Sequence, residues 1–187
     1  MKIGYIFDFD GVLVNTMEAH FACNQQALAE VGVPIDKAQF FFQAGMTGRE
    51  QINYFVTKAG MSVDIEKVYN RKRELYESFI DKATVIECNL QMLQMLQTNG
   101  YPIAIASGSS HKSIDPVMER FGIFADAVVT SADVNRGKPN PDLFLKAAEW
   151  LDLPPSNCIV IEDSEVGIEA AINAGMKAMR FYDNRKI

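Results

Sequence analysis

Residues 1–13 read MKIGYIFDFDGVL: a short apolar run, then Asp8 and Asp10 separated by one phenylalanine, then Gly11. The run breaks at Asp8 after too few residues for the hydrophobic part of a secretion signal or for a membrane span. Residues 1–7 therefore read as a buried strand that delivers two carboxylates at its end. Four more short apolar runs, at 101–106, 127–130, 158–161 and 176–182, have the same character. Helical patterns lie between them. Residues 90–99 follow a capping residue at Asn89 and stop at Gly100, and 114–121 stop at Gly122. A third pattern opens with Asn140 and Pro141, a fitting N-cap and first-turn pair, and carries Leu143, Phe144, Ala147 and Leu151. Alternation of this kind implies an α/β protein, a parallel sheet wrapped by helices.

The stretch between the first and second strands departs from that rhythm. Residues 15–82 read as helix throughout, too long for one crossover. Asn15 with Glu18 and Thr47 with Glu50 each have capping-box spacing, and Asp64 stands where it caps a helix running to Ile80. The expected architecture is a Rossmann-like parallel-sheet core made of residues 1–14 and 83–187, with a helical cap domain inserted at 15–82.

A chain of 187 residues can bury one substantial core and a small second unit. With 48% apolar and 22% charged residues it falls outside the disordered class. Its net charge of −6 comes without a basic block, so little energy is available from counterion release, and neither nucleic acid nor a membrane is an expected partner. Cys23, Cys88 and Cys158 are odd in number and widely spaced, which speaks against a disulfide framework or a zinc site and for reduced core cysteines in a cytoplasmic protein. A monomer is expected.

In an open parallel sheet the ligand sits beyond the carboxyl ends of the strands. There the first strand offers Asp8, Asp10 and Gly11, the second Ser107, Gly108 and Ser109, and the fourth Glu162 and Asp163, while Lys138 precedes the helix after the third. Asp8, Asp10, Glu162 and Asp163 together would crowd more carboxylates into one pocket than can ionise unaided. A hard divalent cation relieves the repulsion, and oxygen-only ligands suit Mg²⁺ better than zinc. Ser107, the amides of the turn through Ser110, and Lys138 supply donors and positive charge for phosphate oxygens. Phosphoryl transfer needs a nucleophile, charge neutralisation and a proton donor for the leaving oxygen. Asp8 reads as the nucleophile, and Asp10 as general acid then base, its carbonyl reaching the metal. Gly11 lets the backbone turn away without a Cβ in the site.

Asp8-Phe9-Asp10-Gly11-Val12, Ser107-Gly108-Ser109, Gly137-Lys138-Pro139-Asn140-Pro141-Asp142 and Glu162-Asp163-Ser164-Glu165-Val166-Gly167 resemble the four motifs of the haloacid dehalogenase superfamily. The inserted helices look like that family's C1-type cap, and the nearest branch is the one with β-phosphoglucomutase and small sugar-phosphate phosphatases. The resemblance implies a nucleophilic Asp8, an acid/base Asp10, and Mg²⁺ held by Asp8, the Asp10 carbonyl and Asp163, with Glu162 as a further ligand. Dehalogenases lack the second aspartate, so Asp10 points away from that activity. Asn15 stands where the branch usually has aspartate, and Cys88-Asn89 where it commonly has Pro-Gly.

Three cap residues are candidates for the body of the substrate. Lys72 falls within the apolar stripe of Ile65, Val68, Tyr69, Leu75, Tyr76 and Phe79, facing either solvent or the cleft. Arg49 lies near a helix start, where a cation opposes the macrodipole and calls for an anionic neighbour such as Glu50 or Glu18. His20 is either an interface histidine or a substrate contact, and the resemblance favours contact for all three. The expected activity is a phosphatase on a small phosphorylated metabolite, with a sugar-phosphate mutase as the alternative and a non-catalytic binding module more remote. Asn24 stands near the place of an aromatic residue that the mutases often carry.

Overall fold

The computed structural model describes residues 2–43 and 46–181. Met1 and Tyr182, the outer ends of two expected strands, lie outside the described residues, as do 183–187 of the expected core and 44–45 of the expected cap. Five strands form one parallel sheet: β1 (Gly4–Phe7), β4 (Ile103–Ala106), β5 (Ala127–Val129), β6 (Cys158–Glu162) and β7 (Lys177–Arg180), in the order β5-β4-β1-β6-β7. The first strand of the sequence is thus the middle of the sheet, paired with β4 on one side and β6 on the other.

The central strands β1, β4 and β6 are covered on both faces and their alternation divides two packing layers, while β7, at the edge, stays largely exposed. Ile6, Ala104, Ala106 and Val160 point to α7 (Asp142–Trp150) and α8 (Glu165–Asn173), where Leu143, Phe144, Ala147 and Ala170 are buried. Phe7, Ile103, Ile105 and Ile161 point the other way, to α5 (Glu87–Thr98) and α6 (His111–Phe121), among Leu93, Ile114 and Val117.

Between β1 and the rest of the sheet, the chain passes through a two-residue strand β2 (Val14–Asn15), four helices, a 3₁₀ turn at Ile80–Lys82 and a second short strand β3 (Thr84–Val85) antiparallel to β2. The helices are α1 (Met17–Ala29), α2 (Lys37–Phe42), α3 (Gly48–Lys58) and α4 (Ile65–Glu77). Cys23, Leu28, Phe40, Ile52, Phe55, Val68 and Tyr69 make their own apolar cluster. Thr47 and Glu50 form the expected capping box on α3, and Asp64 accepts from the Lys67 amide at the start of α4.

Three expected caps are not caps. Asn15 pairs with Thr84 in the ribbon, and Thr16 is the N-cap of α1. Helix α5 begins at Glu87, so Asn89 lies inside its first turn and its side-chain amide donates 2.8 Å to the Val12 carbonyl. The N-cap of α7 is Pro141, while the Asn140 amide donates 3.0 Å to the Gly137 carbonyl. For Asn15 and Asn89 a partner distant in the chain replaces the local one, and for Asn140 a carbonyl three residues back does. Helix α6 starts at His111, three residues before the apolar pattern makes it visible.

Candidate active site

Every core motif lies at the carboxyl edge of the sheet. Asp8 follows β1 and its amide donates 3.0 Å to the Ile161 carbonyl; Ser107 follows β4 and its amide donates 2.9 Å to Val129. Glu162 ends β6, which adjoins β1. Lys138, fully buried, reaches in from the loop before α7: its Nζ donates 2.8 Å to Asp8 Oδ1 and 2.9 Å to Glu162 Oε1. Burial alone would lower this ammonium's pKa, but the two carboxylates outweigh it and hold Lys138 charged. Asp8 is raised well above the usual carboxylate range, chiefly by burial and further by Glu162, Asp10 and Asp163, against the pull of Lys138.

Glu162 is engaged on both oxygens. Besides Lys138 it accepts 3.0 Å from the Ser164 hydroxyl, 2.6 Å from the Asp163 amide and 3.1 Å from the Ser164 amide. Carboxylate oxygens of Asp8, Glu162 and Asp163 come within 4.8 Å of one another. That donor set is all oxygen, which fits a hard divalent cation. Gly11 has φ +94°, and a Cβ there would stand 2.5 Å from Asp163 Oδ2, so the loop behind the first motif has room only for glycine.

Asp10 points across the cleft to the cap. It accepts from Thr16, 3.0 Å from His20 Nε2, 2.9 Å from Ser107 and 2.8 Å from Ser109. Burial would raise its pKa, but the charge and hydrogen bonds of His20, with those of Thr16 and Ser109, hold the carboxyl well below its ordinary range. His20 in turn is lowered by burial and by the Lys72 charge. His20 Nε2 and the hydroxyls of Thr16, Ser107 and Ser109 converge on the Asp10 carboxylate. Ser107 and Ser109 thus hold Asp10, and the Ser109 amide donates 2.9 Å to Ser107 Oγ. The His20 ring stacks on Tyr76, centroids 4.6 Å apart.

Asp8, Asp10, Gly108, Ser109 and Ser110 face His20, Gln51 and Lys72 across one cleft, with Met17, Phe40 and Met46 as an apolar wall. About 30 Å³ of free space remains at its centre, room for a water or two. Arg49 does not line it. Its guanidinium pairs with Glu66 at 2.5 and 3.0 Å and lies 4.0 Å over the Tyr69 ring, so its anionic neighbour is Glu66, not Glu50 or Glu18. Glu50 instead joins cap to core, accepting from the Thr47 amide at 2.9 Å and the Gly137 amide at 3.2 Å. Thr16, Glu50 and Gln51 are polar residues of the site that sequence reading leaves out. The signal for Glu50 was its capping-box spacing, which says nothing of a second partner 87 residues away.

The profile of the haloacid dehalogenase-like hydrolases matches residues 5–181. The β-phosphoglucomutase of Bacillus subtilis is 31% identical over 182 residues, covering 93% of this chain and 80% of its own. A fructose-1-phosphate phosphatase of Escherichia coli is 26% identical, with 94% of each chain covered. Among solved structures, β-phosphoglucomutase from Clostridium difficile superposes with a TM-score of 0.86 at 26% identity over 99% of this chain and 86% of that one. No described helix is long and apolar enough to cross a membrane.

Proposed function

The chain belongs to the haloacid dehalogenase-like hydrolases and is an enzyme, a phosphatase or phosphomutase; from that membership we propose a Mg²⁺-dependent phosphatase that acts on a sugar phosphate or similar small metabolite through an aspartyl-phosphate at Asp8. The observation that carries this reading is the pair of carboxylates in one cleft with different partners: Asp8 on the buried Lys138, Asp10 on the cap. Two carboxyls whose surroundings push their pKa values apart can divide nucleophile and acid/base roles.

In the first half-reaction an Asp8 oxygen attacks phosphorus while the ester P–O bond breaks, and Asp10 gives its proton to the leaving oxygen. In the second, Asp10 takes a proton from water as the water oxygen attacks phosphorus; the Asp8–phosphorus bond breaks and phosphate leaves. The donors around Asp10 favour the anionic, proton-accepting form. Its donor form requires the charge of an arriving phosphate and release of the His20 contact. Lys138, anchored by Glu162, neutralises the transferring group. Asp8, Asp163 and the Asp10 carbonyl would hold Mg²⁺, which when bound draws charge from the phosphate oxygens and keeps Asp8 ionised. With four hydrogen bonds on its carboxylate, Glu162 fits the role of Lys138's anchor better than that of a ligand.

The second reading, a mutase that returns the phosphoryl group to another hydroxyl of the sugar, is favoured by the likeness to β-phosphoglucomutase. A panel of sugar phosphates followed by phosphorus and proton NMR, with Mg²⁺ and with excess EDTA, separates the two. Free phosphate appearing only with Mg²⁺ is the expected result. Isomer without phosphate assigns the mutase, and turnover unaffected by EDTA refutes the metal. Asp8→Asn should lower kcat at least ~10³-fold.

A further inference from the structure

Behind the loop of Ser107 and Ser109 lies the turn after β5, which the catalytic reading leaves unused. Residues 130–133 read Thr-Ser-Ala-Asp, three of them short polar side chains of the kind that close turns on their own backbone. Asp133 Oδ2 accepts 2.8 Å from the Thr130 amide and 2.9 Å from the Thr130 hydroxyl, and that hydroxyl accepts 3.2 Å from the Ala132 amide. Thr130 is fully buried. One carboxylate oxygen thus closes the turn.

The closed turn continues the pairing of β4 with β5 beyond the strands themselves. They pair in parallel as far as Ala106 and Val129. Past that point the Ser107 amide donates 2.9 Å to the Val129 carbonyl, the Ser131 amide donates 3.0 Å to the Ser109 carbonyl, and His111 Nε2 lies 3.3 Å from Asp133 Oδ2. His111 opens α6, and its other ring nitrogen lies 3.2 Å from Asp115 Oδ1. Ser109 is where this splint meets the chemistry. Its hydroxyl donates to Asp10, and its amide donates to the Ser107 oxygen, which donates to the same Asp10 oxygen. The placement of both donors therefore depends on the Ser109 backbone. The His111 pair is partly exposed and adds little to stability. What such a contact governs is the position of reacting groups, where a shift of about 1 Å costs up to ~10²-fold in rate.

We propose that Asp133 is a positioning residue for the reaction: it closes the turn after β5 so that the Ser131 amide holds the Ser109 backbone, and with it the two hydroxyl donors on Asp10, while His111 staples that turn to α6. The effect on rate rests on the reading of Asp10 as acid and base. The clamp itself has a readout that needs no turnover.

Amide hydrogen exchange followed by NMR reads the Ser131 donor directly, and Mg²⁺-dependent hydrolysis of p-nitrophenyl phosphate, which has little for the cap to hold, reads the consequence. Asp133→Ala should speed exchange at Ser131 at least ~10-fold and lower kcat at least ~10-fold with KM within about twofold, because Asp8 and Lys138 are untouched. Asp133→Asn should recover most of both, since the two Thr130 bonds go to one oxygen and an amide oxygen accepts them. His111→Ala tests the clamp from the α6 side without altering the turn, and keeps the test alive if Asp133→Ala does not fold. It should cost about threefold in kcat, and nothing further once Asp133 is alanine, because the two act through one contact. Faster exchange at Ser131 with full kcat confines the turn to the fold and overturns the proposal. So does unchanged exchange, or an Asp133→Asn variant no better than Asp133→Ala. A wild-type protein that releases no phosphate from the ester refutes the phosphatase reading instead, and exchange at Ser131 still decides whether Asp133 holds the loop.

Discussion

Lys138 is the residue on which the core site turns, because its ammonium is fully buried and shared between Asp8 and Glu162. Glu162→Gln keeps the shape and leaves Lys138 with one counter-charge, so it should cost about 3 kcal/mol, the low end for breaking a buried pair, since Asp8 remains. Urea unfolding measures that loss; a change within error would mean the lysine takes up solvent or a new partner. Asp8 gives a pH signature. A carboxyl whose folded-state pKa lies above its unfolded value of about 3.9 binds more protons folded than unfolded. It therefore favours folding at low pH, and that contribution is lost as pH rises from the unfolded value through the raised one. A divalent cation competes with that proton, so Mg²⁺ should raise Tm more at about pH 8 than at about pH 5.5. An equal shift at both values would separate the metal from Asp8. At this scale the sequence was legible: Asp8, Asp10, Ser107, Lys138, Glu162 and Asp163 converge because strand ends bring motifs together. What composition could not show is that Glu162 is spent on Lys138 and backbone amides, a matter of side-chain direction.

Helix α3 shows how one element serves both fold and site. Its capping box was readable from Thr47 and Glu50, and the same Glu50 reaches the Gly137 amide beside Lys138. Thr47→Ala should cost about 1 kcal/mol of stability through the lost cap. It should also lower kcat/KM for the true substrate, because Glu50 loses the hydroxyl that holds it 2.7 Å away. Parallel thermal melts and kinetics check both; a stability loss with unchanged kinetics would confine the box to the fold. Elements were less legible where polar side chains had a choice. Asn15 and Asn89 both have cap-like positions in the sequence, and each goes to a strand or carbonyl distant in the chain, while Asn140 turns back three residues to Gly137. Local spacing cannot register those partners. Arg49 is a further case: Glu66, seventeen positions on, becomes its neighbour only once α3 and α4 pack.

Across the whole molecule, the cleft between sheet and helices keeps about 30 Å³ of free space at its centre, less than a sugar phosphate fills, so binding one there is expected to part the two walls. The β2–β3 ribbon is the double connection through which the helices join the sheet, and the Glu50–Gly137 contact spans the cleft away from it. Gly137 makes closure testable. A Cβ at this position would overlap the Glu50 carboxylate and come 2.6 Å from the Thr47 methyl, so alanine there prevents the two walls from meeting as they do now. Gly137 has no left-handed φ to protect. The backbone accepts alanine, and stability should therefore change by less than about 1 kcal/mol. If binding energy from the cap is realised on closing, kcat/KM for the metabolite should fall at least ~10-fold in Gly137→Ala. Since Lys138 is the next residue, a displaced ammonium would give the same loss, and Thr47→Ser tells the two apart. Removing the methyl relieves one of the two close contacts, gives the Glu50 carboxylate room to shift from the other and keeps the capping oxygen, so the double variant should recover part of the lost activity. A displaced lysine would not respond to a change on α3, and absence of recovery would move the cause from closure to the phosphate site.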